Sequence, residues 1–101
     1  MAKDRHIYGE VDNKTDLKEV FSEIREDVEK AGSRPELTEL YRRAGYLITL
    51  TDAPAWEKKF DEDIDEIREA AEEEFAKTAR VINRRAEAVG TDANYDERWG
   101  D

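Results

Sequence analysis

The chain has 101 residues, of which 27 are acidic and 17 basic, so its formal net charge is −10. No apolar run approaches the roughly 20 residues of a membrane-spanning helix, and the first residues lack the apolar stretch of a secretory signal. We therefore expect a cytoplasmic protein. With no cysteine and a single histidine, disulfides, thiolate chemistry and a paired-histidine metal site are excluded. The length is that of one helical domain spanning 1–101.

The excess acid is concentrated in one segment. Residues 61–74 contain nine acidic residues and one basic residue, a net charge of −8. A field of that sign repels nucleic-acid backbones and anionic membranes, and it favours a solvated acidic face. The whole chain has seven lysines against ten arginines, and this acidic, lysine-poor composition resembles that of uncharacterised proteins from salt-loving archaea.

The first predicted helix has apolar residues at helical spacing from Leu17 to Ala31. We expect Thr15 or Asp16 to cap its start. Gly32 is expected to end it, because glycine accepts the left-handed backbone conformation that often follows a helix.

The second predicted helix begins at the segment Ser33 to Glu36, which has capping-box spacing and a proline in the first turn. Its apolar stripe runs from Leu37 to Ile48. Gly45 lies inside this helix, where glycine costs about 1 kcal/mol relative to alanine. We interpret it as a point of close approach for another helix, with a backbone-lined ligand pocket as the alternative.

The third predicted helix is the longest. Its apolar positions run from Trp56 to Val89 with a mean step of about 3.67 residues, close to the period of a straight helix. Thr51, Asp52 and Pro54 provide its start and Gly90 its end. The unbroken stripe predicts one continuous helix, although a kink near Asp61 is the alternative.

These helices predict an all-α fold, a three-helix antiparallel bundle with a long third helix. That helix would extend beyond its partners by about half its length, leaving its far apolar half uncovered. The first helix, the C-terminal tail or a second copy of the chain could cover it, and we predict a homodimer. The predicted interaction surface consists of Phe75, Ile82, Ala86, Val89, Tyr95 and Trp99.

The two ends of the chain have less regular patterns. Residues 1–14 predict an N-terminal arm and residues 91–101 a polar C-terminal tail. Because the tail contains Tyr95 and Trp99, we expect it to pack back on the helices. A docking motif for another protein is the alternative.

Carboxylates at helical spacing raise the question of a metal site. Glu36-x-x-Glu39 is followed, after 22 residues, by Glu62-x-x-Asp65. This spacing resembles the signature of the all-α nucleotide pyrophosphohydrolases related to the MazG family. The resemblance implies a dimeric helical bundle in which Glu36, Glu39, Glu62 and Asp65 bind Mg²⁺. A fold-back at residue 52 would instead place Glu36 and Glu39 opposite Glu69 and Glu66.

Basic residues form a second candidate site. Arg42 and Arg43 lie between two tyrosines, while Lys77, Arg80 and Arg84 follow one helical face. Such a patch could bind phosphates and stack on bases. The favoured interpretation is pairing with carboxylates of neighbouring helices or of a dimer mate.

Taken together, the residues predict a non-enzymatic interaction or adaptor module without a cofactor. Its partner would be a second copy of the chain or another protein. The alternatives are a Mg²⁺-dependent nucleotide pyrophosphohydrolase of MazG-like type and a nucleic-acid-associated helical protein.

Overall fold

The computed structural model describes residues 11–60 and 63–100, which form four α-helices. These are α1 (Lys14–Lys30), α2 (Arg34–Leu50), α3 (Pro54–Lys59) and α4 (Ile64–Ala88). None of the described residues lies in a β-strand, so the predicted all-α class is confirmed. Residues 1–10 of the predicted N-terminal arm lie outside the described residues.

Helix α1 begins earlier and ends differently than its sequence predicts. The side chain of Asn13 accepts a hydrogen bond from the Asp16 amide at 2.8 Å, so Asn13 is the N-cap and neither Thr15 nor Asp16 has that role. Ala31 ends the helix in an extended conformation. Gly32 is not left-handed, because the positive φ angles among the described residues belong to Gly90 and Gly100.

Helix α2 begins with a modified capping box. Glu36 Oε1 accepts hydrogen bonds from the Gly32 amide at 2.9 Å and from the Ser33 hydroxyl at 3.0 Å. Ser33 is the N-cap residue, but its side chain makes no capping bond to the helix. The carboxylate therefore organises the turn that joins α1 to α2.

The three long helices run up, down and up. Lys14 lies 3.6 Å from Glu66 at the start of α4, and Arg85 near its end donates to the Ala31 carbonyl at 2.8 Å, so α1 and α4 run in the same direction. Helix α2 runs against both, since Arg68 donates to the Thr51 carbonyl at 3.1 Å. This arrangement is the predicted antiparallel three-helix bundle.

The predicted continuity of the third helix is wrong. Phe60 and Asp63 both have extended backbone conformations and separate α3 from α4. Asp63 caps α4, because its Oδ1 accepts from the Asp65 amide at 2.9 Å. The break leaves the apolar period intact, with Phe60 buried and its ring 5.2 Å from that of Trp56. It also interrupts a run of acidic residues that would repel one another at helical spacing.

The predicted uncovered stripe is also wrong. Because α4 begins at Ile64, it is only 25 residues long, about 37 Å, and α1 lies beside most of it. Phe75, Ile82 and Ala86 are therefore buried within a single chain. This packing removes the uncovered stripe on which the homodimer prediction depended.

Helix α4 ends in a Schellman motif, after which the tail turns back. Gly90 has a φ of 81°, its amide donates to the Glu87 carbonyl at 3.2 Å, and the Thr91 amide donates to the Ala86 carbonyl at 2.9 Å. The turn directs residues 91–100 back along the groove between α2 and α4, where Tyr95 is buried and Trp99 partly buried.

Candidate functional site

Four aromatic rings meet where the tail crosses α2 and α4. The ring of Tyr41 lies 5.3 Å from Phe75, 5.0 Å from Tyr95 and 5.6 Å from Trp99, measured between centroids. Phe75 and Trp99 are themselves 6.0 Å apart in an edge-to-face arrangement. Tilted pairs of this kind add to the stabilisation that burial provides. This aromatic cluster holds the tail against the bundle.

Polar contacts fix the position of the tail along the groove. The Asn83 side chain donates to the Tyr95 carbonyl and accepts from the Tyr95 amide, both at 2.8 Å. The Tyr41 hydroxyl donates to the Asp96 carbonyl at 2.9 Å. Burial, and then the Asp96 carboxylate, raises the pKa of Tyr41, which keeps this hydroxyl protonated as a donor.

Gly45 lets the tail approach α2 closely. A Cβ atom at this position would overlap the indole ring of Trp99. The indole Nε1 also donates to the Thr49 hydroxyl at 3.2 Å, one turn along α2. The expected close approach at Gly45 is therefore made by an aromatic side chain of the tail, and the predicted helix–helix contact at this position is wrong.

A cavity of about 210 Å³ opens beside Trp99. We call it the Trp99 pocket. Its walls come from α2, α4 and the tail, and its lining residues are Ile48, Glu72, Phe75, Ala76, Glu97, Arg98 and Trp99. The pocket is large enough for one side chain or a small molecule, but it is below the usual size of a cofactor site.

Three exposed carboxylates lie close together in the sequence of α4, and one of them, Glu72, lines this pocket. Glu69, Glu72 and Glu73 are exposed, and within the described residues they make no ion pair or hydrogen bond. We call this trio the acidic face. By contrast, Asp65 pairs with Arg68 at 3.2 Å. The acidic face therefore retains charge that the fold itself does not neutralise.

Glu74 directly follows the acidic face in sequence but is only 4% exposed. Its carboxylate lies 3.0 Å from Arg25 of α1 and 3.1 Å from Lys77. Arg25 also donates to the Thr78 hydroxyl at 3.2 Å. Sequence reasoning placed Glu74 on a solvated face. Its position between the stripe residues 71, 75 and 78 was the signal that could have identified it.

The carboxylates that the MazG resemblance implies as Mg²⁺ ligands are not brought together. The C-terminal end of α2 contacts Arg68, close to Asp65, whereas Glu36 lies about 22 Å away along α2 at the opposite end. Glu62 lies outside the described residues. The alternative pairing of Glu36 with Glu69 also fails, because α3 lengthens the connection between α2 and α4.

Glu36 and Glu39 are already engaged with other groups. Hydrogen bonds from the Gly32 amide and the Ser33 hydroxyl lower the pKa of Glu36. Glu39 lies 3.5 Å from Arg43. Both acids line a groove of about 480 Å³ between α1 and α2 that also contains cationic side chains. Within the described part of the chain, no group of three or more candidate ligands could hold a metal ion.

The predicted basic patch is divided among several ion pairs. Arg43 pairs with Glu39, Lys77 with Glu74 at 3.1 Å, and Arg80 with Glu97 at 2.9 Å. The remaining members, Arg42 and Arg84, are exposed and lie on different helices. These pairs lie within one helix for Arg43 and Lys77 and reach the tail for Arg80, so they are not the predicted pairs with carboxylates of neighbouring helices.

Comparison with known proteins identifies no relative. No family model matches the chain, and no curated protein or solved structure is significantly similar to it. None of the helices in the described ranges is both long and apolar enough to cross a bilayer. The chemistry of the acidic face and the Trp99 pocket is therefore the basis for a functional assignment.

Proposed function

We propose that this chain is a non-enzymatic interaction module, acting in the cytoplasm, that binds a basic segment of another protein. The contact surface is the acidic face of Glu69, Glu72 and Glu73 together with the adjoining docked tail. The observation that carries the proposal is the coincidence of unpaired carboxylates with an aromatic-walled pocket on one side of the bundle. The proposal requires no metal ion or cofactor.

Charge supports a basic partner over other classes of macromolecule. Surplus carboxylates attract a cationic segment, accelerate its encounter with the protein and repel acidic competitors. They also repel the phosphates of a nucleic acid. The predicted nucleic-acid-associated role is therefore not part of the proposal.

The position of the surface supports specific binding over simple solubility. Glu72 of the acidic face lines the same pocket as the partly buried ring of Trp99 and the buried ring of Phe75. Aromatic and arginine side chains are the residue types that most often dominate the energy of protein interfaces. An acidic face that served solubility alone would need no such pocket.

The test compares two acid pairs of equal charge. A flexible, fluorescently labelled peptide of arginine, glycine and serine is titrated with the chain at fixed ionic strength, and binding is followed by anisotropy. Replacing both Glu69 and Glu73 with glutamine is expected to weaken binding about three- to tenfold, because two unpaired carboxylates are lost from the contact surface.

The matched control replaces Glu19 and Glu26, two exposed acids of α1, with glutamine. It changes the net charge by the same amount but leaves the acidic face intact. Binding by this control should remain within about twofold of the original chain. Equal losses in both double variants would contradict the proposal, because they would show attraction to net charge alone.

A further inference from the structure

The Trp99 pocket combines aromatic walls with charged side chains at its rim. Its lining includes the rings of Phe75 and Trp99 and the carboxylates of Glu72 and Glu97. A cavity of about 210 Å³ can take one long side chain.

The aromatic wall is held in place before any ligand arrives. The Trp99 indole lies on the bare backbone of Gly45, donates to Thr49, and contacts Phe75 and Tyr41 edge-to-face. Ligand binding against this ring loses little conformational entropy, because the ring is already ordered. Its face presents the negative side of the aromatic quadrupole, which attracts cations.

The charges at the rim point to the same ligand class. Glu97 is paired with Arg80 at 2.9 Å, whereas Glu72 has no cationic partner among the described residues. Arg98 also lines the pocket and, like Glu97, already has an interaction partner. Glu72 is therefore the carboxylate available to an incoming cation.

We propose that the Trp99 pocket binds an arginine side chain of the partner, with the guanidinium against the Trp99 ring and hydrogen-bonded to Glu72. This inference rests on the proposed function, whose basic partner it makes more specific. A guanidinium is planar and weakly hydrated, so it stacks on an aromatic ring and donates two hydrogen bonds to one carboxylate. The pocket is thus an anchor site within a wider acidic surface.

A lysine fits the same pocket less well. Its ammonium group is compact and strongly hydrated, and it cannot make the paired hydrogen bonds or the stacked contact. An anionic ligand is repelled by Glu72, while an uncharged ligand donates only neutral hydrogen bonds to the carboxylate and makes no cation–π contact with Trp99. A preference for arginine over citrulline, its uncharged isostere, is therefore the distinctive property of the site.

The experiment uses the two tryptophans as internal reporters. The full chain, labelled with ¹⁵N, is titrated at fixed ionic strength with N-acetyl-arginine-N′-methylamide while both indole N–H resonances are followed. We expect a saturable shift of the Trp99 resonance, because its ring contacts the ligand, and no shift of Trp56, which is buried elsewhere. The lysine derivative should bind about threefold more weakly, and the citrulline derivative should produce no saturable shift.

Two variants locate the binding site. Glu72→Gln should weaken binding of the arginine derivative about three- to fivefold, whereas Glu26→Gln on α1 should leave it unchanged. Gly45→Ala should abolish the Trp99 response, because the added methyl group displaces the indole. Alanine favours a helix more than glycine does, so this variant is expected to retain α2.

The inference is overturned if citrulline gives the same shift as arginine, if both indoles shift together, or if Glu72→Gln has no effect. Its failure is separable from that of the proposed function. If the basic peptide requires Glu69 and Glu73 but the arginine derivative does not affect Trp99, the pocket inference fails alone. If the arginine derivative binds but the peptide does not distinguish the two acid pairs, the proposed function fails alone.

Discussion

The charged residues of α4 include two contrasting groups, one exposed to solvent and one packed against other elements. Glu69, Glu72 and Glu73 face solvent and make no ion pair or hydrogen bond within the described residues. Further along, Glu74 is buried against Arg25, and Arg85 is hydrogen-bonded to the Ala31 carbonyl. The buried and paired charges hold α4 against α1, whereas the unpaired acids contribute nothing to that packing. The fold therefore leaves them available for binding.

The largest expected effect tests whether the back half of α4 is core. Ile82→Ala should lower the free energy of unfolding by about 3 kcal/mol, because Ile82 is fully buried. The same change at the partly buried Ile64, in the front half, should cost about 1 kcal/mol. Urea unfolding followed by circular dichroism measures both values.

The molar mass of each protein in solution, which reports its oligomeric state, provides the control for these two variants. Ile82→Ala should have the same mass as the original chain at equal concentration, since Ile82 packs within one chain. A variant that retained its stability but changed from dimer to monomer would instead support the interface predicted from the sequence.

A smaller effect is expected at the turn between α1 and α2. The pKa of Glu36 is lowered by hydrogen bonds from Gly32 and Ser33, so this carboxylate stabilises the fold above its ordinary pKa of 4.5. That stabilisation should disappear as the pH falls through the lowered folded-state pKa. Unfolding of the original chain and of Glu36→Gln, measured across the acidic range, gives the difference directly.

The difference in stability between the two chains should be greatest above about pH 5 and shrink as the solution is acidified. A difference that did not change with pH would show that the ionised carboxylate of Glu36 does not stabilise the turn.

Apolar periodicity predicted the helices but not the break before α4. The four-residue step from Phe60 to Ile64 does not reveal the break, because Phe60 is buried and Ile64 packs against the core although the helix stops between them. The information lay in Asp63, whose carboxylate caps the new helix. One polar residue can start a new helix by capping it, and an apolar period averaged over many residues does not detect such a local effect.

The site was harder to predict than the fold because it depends on contacts distant in sequence. Gly45 indicated a close approach, but nothing near it in sequence identified Trp99 as the group that would come close. Glu74 belongs to the same acidic run as its exposed neighbours, and although its place in the apolar stripe indicated burial, its partner Arg25 lies across the bundle and distant in sequence. Pairing between elements decides which acids of an acidic segment are structural and which remain available.

The most direct test of this division uses adjacent residues and one substitution. Glu74→Gln should lower the free energy of unfolding by about 1–3 kcal/mol in urea titrations at low salt, because it leaves Arg25 without its buried counter-charge. Glu73→Gln should leave stability unchanged or raise it by a few tenths of a kcal/mol, about the value of relieving repulsion between exposed acids. Equal losses in the two variants, or a greater loss from Glu73→Gln, would contradict the division between structural and available charge on α4.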